Sequence, residues 1–218
     1  MALALFDLDN TLLDGDSDYL WGRFLVEQKI VDGGWYEQEN QRFFEDYHRG
    51  SLDIQAYLRF QGSILARHDL ATLQAWREMF LQNSIKPIVL ARGRECMDAH
   101  RRNGDLVVIV TATNRFITAP VARLLQVDHL LATDMEIVEG RFSGQAAGVP
   151  CFQAGKIYHL RQWIQQTGDT LTGSWFYSDS HNDLPLLQQV DHPVAVDPDE
   201  RLRDYAAAHG WKITSFRG

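Results

Sequence analysis

The sequence is poor in the residues on which small, fibrous or membrane-bound folds depend. Of its 218 residues, 2 are cysteines, Cys96 and Cys151, too few and too isolated for a disulfide framework or a zinc site. Prolines number 6 and glycines 16, which excludes collagen-like and low-complexity chains. No apolar run approaches the roughly 18 residues that a membrane span requires. The amino terminus is apolar only from Met1 to Phe6 and carries no basic leader, so no export signal is expected. Basic residues are also in deficit, 21 against 29 acidic, and the formal net charge is −8. A nucleic-acid backbone would be repelled, and no local basic cluster offsets this. What remains is a cytoplasmic protein with reduced thiols that acts on a small molecule. A chain of this length fits one large domain, or a domain with a sizeable insert, and buries about 70% of its unfolded surface.

The apolar segments alternate in type. Residues 2–8, Ala-Leu-Ala-Leu-Phe-Asp-Leu, predict a buried strand that delivers carboxylates at its carboxyl end. Residues 105–110, Asp-Leu-Val-Val-Ile-Val, predict a second, with Thr111 to Asn114 as a loop before a helix over Arg115 to Leu125. Strands follow at 174–178 and 192–196, and near 129–133 and 211–216; helices are expected over Gly155–Gln166, Leu184–Gln189 and Asp199–Ala208. Strands alternating with helices imply an α/β doubly wound, Rossmann-like parallel sheet, whose ligands sit beyond the strand C-termini. The first two strands are almost a hundred residues apart, far more than one crossover needs. Leu52, Tyr57, Leu58, Ile64 and Leu65, then Leu70, Leu73, Trp76 and Phe80, recur at roughly helical spacing there, with breaks at Gly33-Gly34 and Gly50-Ser51. The expected organisation is therefore a core of residues 1–15 and 86–218, with a helical cap inserted over 16–85.

The chemistry concentrates at three strand ends. Asp7 and Asp9 stand two apart at the end of the first strand, where side-chain alternation would send both to one face. Asp179 and Asp183 follow another strand, so up to four carboxylates converge, an oxygen-rich setting that suits Mg²⁺. Thr111 offers a hydroxyl beside backbone N–H groups and Lys156 a positive charge, which together would clamp a phosphoryl group while a carboxylate attacks phosphorus. Singly, each residue has an ordinary alternative: an Asp-x-Asp turn is usually solvated, Thr111 can cap the following helix, and Lys156 can be a surface lysine.

Taken in order, Asp7-Leu-Asp9-Asn-Thr11, an apolar strand with Thr111, Lys156, then Asp179-Ser-His-Asn-Asp183 resemble the haloacid dehalogenase-like superfamily. The insert directly after the first motif, and its Gly50-x-Leu52…Leu58-Arg59, are similar to the cap of the phosphoserine-phosphatase-like subfamily. The resemblance implies a nucleophile at Asp7, a general acid and base at Asp9, and a phosphoryl clamp of Thr111 and Lys156. It further implies magnesium held by Asp7, Asp179 and the Asp9 carbonyl, with Asp183 in support behind them. Ala112, Thr113 and Asn182 are expected near the substrate.

Two departures from phosphoserine phosphatases bear on the substrate. The acidic residue nine places after the nucleophile, which holds the substrate's amine in those enzymes, is matched by Asp16. Asp16 also suits a helix N-cap in Asp14-Gly-Asp-Ser-Asp18. The arginine that holds the substrate's carboxylate is replaced by Gln61. An amine-bearing ester without a carboxylate, such as histidinol phosphate, fits both. Trp21, Trp35, Tyr36, Phe43 and Tyr47 either pack the cap or stack on an imidazole. His159 and His181 have no part in this chemistry. The expectation is a Mg²⁺-dependent phosphatase for a small phosphate ester. Its alternatives are a phosphoserine phosphatase, a phosphomutase, or a receiver-like phosphoacceptor module, from which Asp9 and the large insert separate it.

Overall fold

A computed structural model describes residues 2–217; Met1 and Gly218, the ends of the expected core, lie outside the described residues. The first strand, β1 (Leu3–Phe6), is buried on both faces, with Ala4 and Phe6 in one hydrophobic cluster and Leu3 and Leu5 in the other. A strand sandwiched this way has no polar face and reads as a continuous apolar run. The chain then passes through four helices, α1 (Ser17–Glu27), α2 (Gly33–Arg49), α3 (Ile54–Leu65) and α4 (Leu70–Phe80), before α5 (Ala91–Arg102) returns it to the sheet. Aspartates cap the first four, Asp16, Asp32, Asp53 and Asp69 each accepting from a backbone N–H of the first turn.

The insert leaves and returns through a neck. Leu13 and Val89 form an antiparallel bridge, Asp14 donates to the Ile88 carbonyl at 2.7 Å, and Leu90 donates to that of Leu12 at 3.0 Å. Beyond it come β2 (Leu106–Asn114), α6 (Arg115–Leu124), the hairpin β3 (His129–Val138) and β4 (Arg141–Ala147), and α7 (Ala154–Thr167). After these follow β5 (Trp175–Ser178), α8 (Leu184–Leu187), β6 (His192–Val196), α9 (Glu200–Ala208) and β7 (Lys212–Thr214). The seven strands lie in the order β4-β3-β2-β1-β5-β6-β7. Every neighbouring pair is parallel except β3 and β4. Helices α1, α5 and α6 pack on one face, and α7, α8 and α9 on the other. The architecture is the expected α/β doubly wound sheet.

Three local expectations need correction. The first strand ends at Phe6, so Asp7 and Asp9 are aimed by a loop rather than by strand alternation; in it the Leu8 carbonyl accepts from Thr11, Leu12 and Leu13. The second strand runs on through Thr111–Asn114, read above as a loop, because Thr133 Oγ1 donates to the Ala112 carbonyl and the pairing resumes at Asn114 and Thr133. The antiparallel strand β4 was not expected. Its two-residue turn, Glu139-Gly140, has φ of 49° and 77°, the left-handed pair that a tight hairpin requires.

Candidate active site

The central strands β2, β1 and β5 are neighbours; the C-terminal ends of β1 and β2 open onto a cleft under the helical insert, and the segment after β5 packs behind it through Thr11 and Lys156. Asp7, Asp9, Thr111, Ala112 and Thr113 line its floor. Asp16, Asp18, Asn40, Phe43, Tyr47 and Tyr57, with neighbours on α1 to α3, form its roof.

Asp7 and Lys156 are 4% and 1% exposed, and Lys156 Nζ lies 2.7 Å from Asp7 Oδ1 and 2.7 Å from Asp183 Oδ2. The lysine reaches this position because α7 begins tightly against the preceding loop: a Cβ at Gly155 would run into the Pro150 carbonyl. Ser178 Oγ donates to the same Asp183 oxygen at 2.7 Å, so Asp183 is held from two sides. Asp179 is fixed by the threonine of the first motif: Thr11 Oγ1 donates to its Oδ1 and accepts from its backbone N–H, both at 3.1 Å. Asp9 is held by one bond to each oxygen, from the Ser17 backbone N–H at 2.6 Å and from Thr113 Oγ1 at 2.8 Å. The general acid-base candidate thus ties the first residue of α1 to the end of β2. Thr111, 1% exposed, accepts from the Thr113 N–H at 3.2 Å.

Burial dominates the electrostatics. Desolvation pushes the Asp7 carboxyl up to about 7; the Lys156 charge opposes it and those of Asp183 and Asp9 reinforce it. Asp9 is pushed up to about 6 by desolvation and by Asp16, against its bonds from Ser17 and Thr113. Asp179 is raised well above the usual carboxylate range by burial, then by Asp7 and Asp183. Burial disfavours the Lys156 charge, but Asp183 and Asp7 outweigh it and hold the ammonium above its ordinary value. One buried cation therefore faces more negative charge than it can neutralise.

Among the described residues no three His, Cys, Asp or Glu side chains stand together as a ready ligand set for a metal. The expected set, Asp7, Asp179 and the Asp9 carbonyl with Asp183 in support, leaves the side chains of Asp9 and Asp183 to other bonds. Asp183 Oδ2 accepts from both Lys156 and Ser178, and each Asp9 oxygen accepts one bond. Asp7 and Asp179 remain, hard oxygen donors in excess of cationic charge. This suits Mg²⁺, which keeps several waters and takes one or two protein carboxylates together with substrate phosphate.

Other expected residues lie elsewhere. Asn182 does not line the cleft; its Nδ2 donates to the Tyr47 carbonyl at 3.1 Å and its Oδ1 accepts from Gln153 at 3.0 Å, tying the segment after β5 to the end of α2. Gln61, 2% exposed, also stays out of the cleft and donates to the Tyr57 hydroxyl at 3.0 Å. Asp16 lines the cleft while capping α1, its Oδ1 accepting from the Asp18 and Tyr19 N–H groups. Of the five cap aromatics, Phe43 and Tyr47 reach the cleft, Trp21 and Tyr36 are buried in the packing of the insert, and Trp35 is 59% exposed. His181 pairs with Asp199 and His159 with the Val149 carbonyl. The sequence reading missed Asp18, Asn40, Phe44 and Tyr57; helical phase from the Asp16 cap is the one signal in the sequence that turns Asp18 inward.

The sequence signature of the haloacid dehalogenase-like hydrolases matches residues 4–188. The chain belongs to that family. Among its relatives is a histidinol-phosphatase of Neisseria meningitidis, 39% identical over 99% of each chain. A phosphoserine phosphatase of Mycobacterium tuberculosis is 33% identical over 99% of this chain and 71% of that protein. A crystal structure of a Bordetella pertussis protein of unknown function superposes with a TM-score of 0.93 at 41% identity, over 99% of this chain and 98% of that one. A substrate-bound phosphoserine phosphatase has a TM-score of 0.73 at 17% identity, over 99% of this chain and 93% of that one, and shares the fold. This haloacid dehalogenase-type chain is a phosphatase. No helix among its described residues is long and apolar enough to cross a membrane.

Proposed function

We propose that this phosphatase hydrolyses a small phosphomonoester through a phosphoryl-Asp7 intermediate, with an amine-bearing ester such as histidinol phosphate as its substrate. On this reading residues 16–85 are the cap, residues 1–15 and 86–218 the catalytic core, and the cytoplasm the site of action. The observation that carries the chemistry is the Lys156 contact to Asp7 Oδ1, which turns the nucleophile's bonded oxygen away and leaves its other oxygen to attack phosphorus.

As the P–O bond to the alcohol breaks, Asp9, poised near neutrality, gives its proton to the leaving oxygen. Asp9 then takes a proton from the water that attacks phosphoryl-Asp7, which releases phosphate and restores the Asp7 carboxylate and the protonated Asp9. Lys156 and Thr111 counter the charge that develops on the equatorial oxygens. Asp7, Asp179 and the Asp9 carbonyl would hold Mg²⁺, which supplies charge neutralisation for an incoming phosphate dianion. A phosphoacceptor module would gain nothing from an acid-base residue fixed by two hydrogen bonds beside the nucleophile.

The substrate reading rests on charge. Among the described residues lining the cleft there is no Arg, Lys or His, whereas four are aspartates. A carboxylate on the substrate would enter such a site unpaired at high cost. We expect kcat/KM for histidinol phosphate to exceed that for phosphoserine by at least about tenfold. A panel of phosphate esters assayed for phosphate release, with and without EDTA, tests this. Equal or reversed efficiencies overturn the substrate assignment, a rearranged ester without free phosphate would indicate a mutase, and full activity after metal removal refutes the Mg²⁺ requirement.

A stability measurement checks the charge excess separately. Raised carboxyl pKa values mean that the folded state binds more protons than the unfolded state between the ordinary value of 3.8 and about 7. Stability of the metal-free protein should therefore fall as pH rises through that window. The melting temperature is expected to drop by about 5 °C or more from pH 5 to pH 7.5. Mg²⁺ should restore more of it at the higher pH. Asp7→Asn should flatten the slope; an unchanged slope in that variant rejects the account.

A further inference from the structure

The roof of the cleft holds a carboxylate that the catalytic scheme does not use. Asp18 lies in the first turn of α1, is 5% exposed and lines the cleft, and its Oδ1 has no hydrogen-bond partner among the described residues. A first-turn aspartate favours a helix N-terminus electrostatically wherever it points, so that role does not require burial. Burying an ionised carboxylate oxygen without a partner is costly, and proteins retain such groups where a ligand completes them. Desolvation and the neighbouring Asp16 charge already resist its ionisation.

Its surroundings describe the missing partner. The Tyr57 hydroxyl accepts from Gln61 Nε2 at 3.0 Å, so its proton points away from Gln61, and Tyr57 stands close enough to Asp18 for each to shift the other's ionisation. Asn40 lines the same wall, and with one Nδ2 hydrogen given to the Tyr19 carbonyl at 3.0 Å its Oδ1 is open as an acceptor. Phe43 and Tyr47 add aromatic faces, which attract cations. Acceptors, π faces and an unpaired carboxylate together describe a site for a protonated amine or imidazolium.

We infer that Asp18, steadied by Tyr57 and Gln61, pairs with the cationic head of the substrate and sets the enzyme's preference among phosphate esters. Asp16, the residue matched by position to an amine contact, is engaged as the cap of α1. Tyr57 and Gln61 are positioning residues: Gln61 fixes the tyrosine, and the tyrosine fixes the carboxylate. This inference rests on the reading of the substrate as an amine-bearing ester.

The test compares histidinol phosphate with phenylpropyl phosphate, which keeps a ring and lacks the nitrogens. In Asp18→Asn the ratio of kcat/KM for the cationic over the neutral ester should fall by at least about tenfold, mainly through KM for the cationic ester. Free histidinol, a product inhibitor of the wild type on this account, should lose its inhibition by a similar factor. A folded Asp18→Asn enzyme with both quantities unchanged overturns the inference, as does a collapse of the ratio in Asp16→Asn instead. Should Asp18→Asn fail to fold, Tyr57→Phe carries the question: it keeps the carboxylate, and the ratio should fall about threefold, an unchanged ratio counting against us. A wild type with no preference for the cationic ester defeats the substrate reading itself, a result distinct from a preference that survives Asp18→Asn.

Discussion

Asp7→Asn is expected to eliminate turnover, and Asp9→Asn to slow it while trapping its intermediate. An amide at position 7 neither attacks phosphorus nor keeps the ion pair to Lys156. Asp9→Asn leaves Asp7 and Lys156 in place and removes the group that protonates the leaving oxygen and deprotonates the water. Such a loss typically costs about 10²–10⁴ in rate. With p-nitrophenyl phosphate, whose leaving group needs no proton, the first step survives better than the second, and phosphoryl-Asp7 should accumulate. Intact-protein mass spectrometry reads the added phosphoryl group, and peptide mapping its position. Label on another residue, or substantial turnover in Asp7→Asn, contradicts the assignment.

Lys156→Met should damage both stability and catalysis. The ammonium is 1% exposed and bonded to two carboxylates at 2.7 Å, so its removal leaves Asp7 and Asp183 buried without their shared cation. Breaking a buried ion pair from one side costs about 3–5 kcal/mol. For a chain of this size that amounts to a fall in melting temperature of about 10 °C, and the scan should show partial recovery with Mg²⁺. A lysine that merely coated the surface would give no change in either quantity. An unaltered melting temperature together with unaltered kcat excludes the clamp.

Legibility in the sequence followed how local each determinant was. The buried strands at 174–178 and 192–196 appear within a residue or two of their predicted ends, because an apolar run sandwiched by helices needs no information from elsewhere in the chain. Asp7, Asp9, Thr111 and Lys156 stood out in the sequence because each follows an apolar run or opens a helix that the pattern located. The partners that orient them were not visible. Thr11 on Asp179 and Ser178 on Asp183 depend on which loops meet, as does the tie from Asn182 to the Tyr47 carbonyl. Strand β4 escaped because Arg-Phe-Ser-Gly-Gln-Ala-Ala has few β-branched or aromatic residues, and because its packing on α3 depends on a distant glycine: a Cβ on Gly62 would strike the Gly144 carbonyl. The Glu139-Gly140 turn was the available clue. Asp18 was hidden among three aspartates in five residues, where composition suggested a helix start and only the phase of α1 distinguishes the capping carboxylate from the one turned inward.

The roof and the floor of the cleft are drawn from different parts of the gene. Every roof residue comes from the single stretch 16–57, whereas the groups proposed to react come from 7–9 and 111–183. Changes in one short coding segment can therefore retune which alcohol is accepted without disturbing the bond-breaking machinery, and a duplicated copy can drift toward a new ester while remaining an active catalyst throughout. The link to be preserved in any such exchange is the bond from the Ser17 N–H to Asp9, where the roof segment touches the proposed acid-base group. A graft that begins after that residue keeps the acid-base group in register, and one that begins before it has to rebuild it.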